Sequence, residues 1–182
     1  MPETGRKIEA GKLLVASPLL VDPNFFKTVV FVLQHDSDGA VGVVLNRPSE
    51  ELVEHHLPEW VRRIEDPPLV FIGGPVEPAV AIGMVRSDRP LEPTALTGVG
   101  MVDLGSDPAA GSPGPVRVFS GYAGWGAGQI EAELEEGAWL VVAAEPDDIF
   151  SGDPGLLWST VLRRQGGRVA MLATFPSDLS LN

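Results

Sequence analysis

Apolar positions along this chain of 182 residues cluster or alternate over short distances only. Residues 12–17 (KLLVAS) form an apolar run closed by Pro18, the pattern of a buried strand. Residues 27–35 (KTVVFVLQH) are β-branched and aromatic, as strands are. Asp36-Ser37-Asp38-Gly39 then supplies a short turn into residues 40–46 (AVGVVLN), and the two runs predict a hairpin. Further strands are predicted at 69–73 (LVFIG) and 79–86 (AVAIGMVR), with Gly74-Pro75 turning one into the other, and at 98–104, 116–119, 139–145 and 168–175. Ser49 is placed to cap a helix over 50–57, with acids in its first turn, and Pro58 restarts a second short piece. A helix over 154–165 puts its apolar positions 157, 158, 161 and 162 on one face. Strands outnumber helices and do not alternate with them. That predicts an α+β fold: a mixed, mostly antiparallel sheet, apolar on both faces in several strands, curled into a partial barrel with flanking short helices.

The stretch FSGYAGWGAGQIEAEL (119–134) follows a strand and leads into an acidic helix ended by Gly137. Strand, glycine-rich turn and helix is also the layout of a phosphate cradle. With Gly126 as the cap, Trp125 and Ile130 stand as a hydrophobic staple and Gln129 as half of a capping box. Glu131, Glu133, Glu135 and Glu136 oppose a bound anion, and no Lys-Ser/Thr pair follows as in a P-loop. The residues therefore predict a self-capped turn rather than a phosphate site; the remaining alternative is a surface, with Tyr122 and Trp125 as exposed aromatics, that recognises an uncharged molecule or a partner chain.

Composition bounds the function. The 21 Gly and 17 Pro disfavour long helices, and the segment 105–115 (GSDPAAGSPGP) is too rich in both to hold regular structure. Residues 1–9 read as a loose tail, and 1–182 as one domain. Thirteen basic residues face 25 acidic ones, a net charge of −12, with the bases scattered. Nucleic acid and anionic membrane repel such a surface. The longest apolar runs fall far short of the roughly 20 residues of a spanning helix, no signal-peptide pattern opens the chain, and the expected location is the cytosol. The absence of cysteine removes disulfides, thiolate catalysis and cysteine-held metals. His55 and His56 face different ways on a helix, so neither metal nor cofactor is implied. Ser120 lacks the flanking glycines of a nucleophile elbow.

The run GKLLVASPLLVDPNFFKTVVFVLQHDSDGAVGVVLNRPS, then GGPV (73–76), then GYAGWGAGQIEAELEEGAWLV (121–141) resembles, in order and spacing, the motifs of the YqgE/AlgH family of small bacterial proteins. The resemblance runs from about Gly11 to Gly166. It implies a single α+β domain with a barrel-like sheet and assigns no residue a catalytic role. One branch of the family carries a transcriptional-regulator label. The only helix–break–helix here, SEELVEHHLPEWVRRIE, pivots on proline and is poor for a recognition helix.

Two readings follow. The first is a non-catalytic domain that binds a small ligand or a protein, with no nucleic-acid partner. Its candidate surface comprises Asp22, Asn24 and Phe25; His35; Asn46 and Arg47; Gly74 and Pro75; and Tyr122, Trp125 and Gln129. The second is an enzyme with His35 as general base and Arg47 as anion clamp. His35 serves equally as a sheet-edge hydrogen bonder, and Arg47 as a tie to an acid such as Asp22. A deep cleft shared by His35, Arg47 and Gln129 favours the enzyme; a flat exposed patch of aromatic and proline residues favours the binding domain.

Overall fold

The computed structural model describes residues 7–176. Ten strands join one curled, mostly antiparallel sheet, a half-barrel flanked by short helices. They are β1 (Lys12–Ala16), β2 (Val29–Asp36), β3 (Gly39–Val44), β4 (Pro48–Leu52), β5 (Leu69–Ile72), β6 (Val76–Arg86), β7 (Glu92–Pro93), β8 (Val99–Val102), β9 (Val116–Gly126) and β10 (Trp139–Ala143). The hydrogen-bonded order is β10-β1-β2-β3-β9-β6-β8-β7, with β4 paired to β5 and β5 parallel to β9. The helices are α1 (Gln129–Glu135), α2 (Pro146–Ile149), α3 (Pro154–Gln165) and α4 (Gly167–Met171).

Both sides of the sheet are covered, which is why several strands are apolar at consecutive positions. The inner side buries Leu13, Phe31, Val43, Phe71 and Phe119 against Leu157, Trp158, Val161 and Leu162 of α3, the four positions that the helical spacing singles out. Each such fully buried side chain contributes about 1.5–3 kcal/mol. The outer side is covered in two parts. Leu14, Val30, Ala40, Ala123 and Trp125 pack with Ile130 of α1. Val70, Val85, Val116 and Val118 pack under Val53 and Trp60 of two 3₁₀ turns, Val53–His55 and Pro58–Arg63, and Leu57 between them.

The predicted hairpin forms as β2 and β3, with a bulge between Val32 and Gln34. Other expectations are corrected. The helix expected at 50–57 is strand β4 followed by a 3₁₀ turn. Ser49, instead of capping a helix, donates from Oγ to the Val70 carbonyl at 2.6 Å and ties β4 to β5. The runs 69–73 and 79–86 are strands but not partners: β5 pairs β4 and β9, whereas β6 pairs β8 and β9. The strand expected at 168–175 is α4 and a 3₁₀ turn, with Val169 and Leu172 set three apart against the inner core. Part of the tail expected at 1–9 falls at residues 1–6, outside the described residues, but Ile8 is buried in the outer core.

The glycine-rich stretch departs most. It is not a loop: β9 runs unbroken from Val116 to Gly126, and Gly128, at φ +73°, precedes α1. Gly126 is thus not the helix cap, although Gln129 Oε1 does accept from its N–H at 3.0 Å. Gly121, at φ +70°, resets the alternation of the strand. Before it Val116 and Val118 face outward and Phe119 inward; after it Ala123 and Trp125 face outward and Tyr122 inward.

Two arginines fasten irregular segments. Arg117 is buried beside the Phe71 ring, 4.4 Å from its centroid, and donates to the carbonyls of Asp66, Ile149 and Ser151. Burial pushes its pKa down to about 10, against the opposing charges of Glu65 and Asp66. Arg63 donates to the carbonyls of Pro108, Ser112 and Gly114, and so holds the segment 105–115 in one conformation without regular structure.

Candidate functional site

Several of the motif residues meet around one backbone crossing. At the lower end of β9 its neighbour is β5; at the upper end it is β3. Gly73 and Gly74 leave β5 where the two part: Val44 N donates to the Gly73 carbonyl at 2.8 Å, and Gly73 N to the Ser120 carbonyl at 2.8 Å. A Cβ on Gly74 would stand 2.2 Å from the Tyr122 carbonyl carbon, and one on Gly121 2.7 Å from the Gly74 oxygen. The glycine motifs at 73–76 and 121–126 are therefore two halves of one close backbone contact, where only a residue without Cβ fits.

The polar motif residues brace this crossing from the inside. Asn46 accepts from Val29 N at 3.0 Å and donates to the Lys27 carbonyl at 2.9 Å. Arg47 donates to the Phe26 carbonyl at 3.1 Å while its own carbonyl accepts from Ile72 N at 2.7 Å. It thus ties the two loops that the sequence suggested, but through a carbonyl. Burial lowers its pKa, and the charge of Asp22 acts in the opposite direction. Asp22 closes an exposed turn, with Oδ1 accepting from Asn24 N at 2.8 Å. Pro75 is exposed.

The aromatics do not form an exposed patch. Trp125 is buried, 6.0 Å from Phe25 and 5.9 Å from Trp139 between ring centroids. Trp125 Nε1 and Trp139 Nε1 both donate to Glu133 Oε2, at 2.9 and 2.8 Å, and Gln129 Nε2 donates to Glu133 Oε1 at 3.2 Å. Tyr122 is half-buried and donates to Glu77 Oε2 at 2.8 Å. Tyr122 stays protonated above its ordinary pKa, chiefly through that hydrogen bond.

His35 stands apart, at the β2–β3 turn, its Nε2 2.6 Å from Glu131 Oε1. It opposes Ala40, and Arg47 lies seven residues further along the chain, roughly 20 Å away at strand rise. The pair assigned as base and clamp is not brought into one cleft, and Gln129 is engaged with Gly126 and Glu133.

The open site lies just below the crossing. The 3₁₀ turns cover only part of the outer face of β5, β9 and β6, and leave a groove of about 520 Å³. Its floor comes from alternate positions of neighbouring strands: Val70 and Ile72, Val118 and Ser120, Ala81. One wall is the loop-out of β6 between Val76, opposite Tyr122, and Ala81, opposite Ser120. That bulge carries Glu77 at φ +45°, a conformation costing on the order of 1–3 kcal/mol for a residue with a Cβ. Ser120 Oγ donates to the Pro78 carbonyl and fixes it. The other wall is Ser49, Glu51, His56 and Leu57, with His56 Nε2 3.2 Å from Glu51 Oε2. Ile72 is 47% exposed and Val80 42%. The two stand on strands either side of β9 and line one groove, and apolar exposure gathered on one face is the feature from which a contact surface is read. Sequence reasoning missed this groove: Ile72 and Val80 look like core residues in LVFIG and AVAIGMVR, and only the proline and acid of VEPAVA hint that the strand bulges.

Residues 13–170 match the model of the AlgH-like family. A UPF0301 protein of Thermobifida fusca is 48% identical over 187 residues, covering 94% of both chains. One of Mycobacterium tuberculosis is 40% identical over 187 residues, covering 97% of this chain and 92% of that one. A crystal structure of a Corynebacterium diphtheriae protein superposes with a TM-score of 0.87 at 31% identity, over 94% of this chain and 95% of the other. The solution structure of the AlgH protein from Pseudomonas aeruginosa gives 0.67 at 30% identity, over 98% and 100%.

Proposed function

This chain belongs to the AlgH-like family, and we propose that it acts in the cytosol as a non-catalytic binding domain that engages a partner protein through the groove beside the β5–β9 crossing. The observation that carries the reading is the exposure of Ile72 and Val80, beside exposed Ala79 and Ala81, on the part of the β5, β9 and β6 face that the 3₁₀ turns leave open. The fold around it is built for rigidity: glycines in backbone contact, a bulge pinned by Ser120, and Arg47 and Asn46 holding the adjoining loops. A rigid apolar face with a polar rim loses little conformational freedom on binding. Of the residues in the candidate surface, Gly74, Pro75 and Tyr122 adjoin the groove through the crossing and Glu77, and Asn46 and Arg47 hold the adjoining loops; Asp22, Asn24, Phe25, His35, Trp125 and Gln129 belong to other parts of the molecule.

A regulator that reads DNA finds no support. The segment resembling a helix–break–helix is a strand and two 3₁₀ turns, too short to lie in a major groove as a recognition helix. A gel shift at moderate salt is expected to show no retardation.

The binding reading is tested by placing a photo-cross-linking residue at position 80, with a second variant at Leu91, exposed elsewhere, as control. In cells, position 80 is expected to give a discrete protein adduct and position 91 none. Equal labelling at both positions would overturn the assignment of the groove.

A further inference from the structure

We infer that the occupant of the groove is an extended segment of a partner protein in which apolar residues alternate with lysine or arginine. This rests on the binding reading above and adds the chemistry of the partner.

The shape sets the first half. The apolar floor repeats every second residue along neighbouring strands, the spacing at which an extended chain presents its side chains. Strand β4, which among the described residues pairs with β5, is the wall carrying Ser49 and Glu51. A small apolar molecule fits less well, because ligand sites bury most of their ligand's surface, whereas Ile72 and Val80 stand nearly half exposed. A chain lying across the groove covers both.

Charge sets the second half. The groove lining contains Glu51 and no lysine or arginine. Glu50 is exposed beside it on β4, Glu54 on the next turn and Glu77 on the opposite wall. Acids on the walls of the groove favour an opposite charge on the segment that lies across it. Glu51 is held by His56 in the free protein, both exposed, and a lysine or arginine of the incoming segment replaces that histidine. A second copy of this chain is disfavoured: it carries −12 and would set Glu50, Glu51 and Glu54 against acids. Nucleic acid and anionic lipid are opposed by the same acids.

The test is a titration of the full-length ¹⁵N-labelled protein with a synthetic octapeptide alternating valine and lysine, and with its valine–glutamate counterpart. The basic peptide is expected to produce saturable amide shifts at Ile72, Val80, Ala81 and Glu51. Val80→Asp and Glu51→Lys, both at exposed positions, should each weaken it at least tenfold without changing the remaining spectrum. The acidic peptide should not saturate. Equal binding of both peptides at the groove overturns the charge inference and leaves the binding reading standing. Shifts confined to other acidic surfaces, or none, overturn both. Groove shifts that grow with protein concentration alone assign the face to a second copy and overturn the inference.

Discussion

At the scale of single residues, backbone contact and carboxylate placement matter more here than any titrating nucleophile. Gly121 combines a left-handed φ of +70° with the Gly74 and Val76 carbonyl oxygens at 2.7 and 2.9 Å from where a Cβ would be. Gly121→Ala therefore meets strain and clash together. It should cost roughly 2–4 kcal/mol, a melting-temperature loss of about 5–15 °C for a chain of this size. Gly128 has a similar φ, +73°, but nothing within 4 Å. Gly128→Ala should lose only about 2–4 °C, the strain alone. Equal losses in a thermal melt would show that φ rather than contact governs the crossing. Glu133 offers a second case, since one of its oxygens accepts from two tryptophan N–H groups. Glu133→Ala leaves both donors unpaired in a part-buried setting, at about 1–3 kcal/mol for each donor that stays dry. Tryptophan emission should shift together with the melt, whereas Gln129→Ala, which loses exposed hydrogen bonds, should move neither by much.

At the scale of elements, α1 is fastened to the β2–β3 turn by His35 and Glu131. The hydrogen bond from His35 is the main cause holding the Glu131 carboxyl below its ordinary value of 4.5. A depressed carboxyl contributes stability above its unfolded pKa and loses it as pH falls through the folded one. The contribution is thus present at neutral pH and fades below about pH 4.5. His35→Ala should flatten the acid limb of stability against pH in that range and raise amide exchange in α1. An unchanged acid limb would remove the clamp. The same scale shows what the sequence reveals. Apolar spacing locates α3 to its buried residues, and β-branched runs locate β1, β2, β3 and β10, because those elements bury a face that repeats regularly. The segment 50–57 misleads because local acids and a serine suit a helix start, while the Ser49 bond to Val70 and the burial of Val53 decide otherwise. The segment 119–128 misleads because its glycines suit a turn, while the partners that need them, Gly73 and Gly74, lie some fifty residues away in sequence. The groove was illegible for the same reason. Ile72 and Val80 are apolar in apolar runs, and only the topology shows that the 3₁₀ cover stops short of them.

At the scale of the whole molecule, an exposed apolar groove and a net charge of −12 have opposing effects on association. Apolar surface of this kind drives contact between copies, and like charge keeps copies apart at neutral pH. The balance moves with pH, because the sequence pI is about 4.5. As the carboxyls protonate, the repulsion falls while the exposure of Ile72 and Val80 is unaffected. The protein should therefore scatter light as a single species at pH 7.5 and self-associate between about pH 5 and 4.5, at a higher pH when salt screens the repulsion. Ile72→Ser with Val80→Ser should suppress that association without lowering the melting temperature appreciably, since both side chains are nearly half exposed. Association that persists in the double variant would mean that another surface, such as the exposed Leu19 and Val21, drives it. In that case the groove would not be the molecule's principal apolar contact surface, and its claim to a partner would weaken with it.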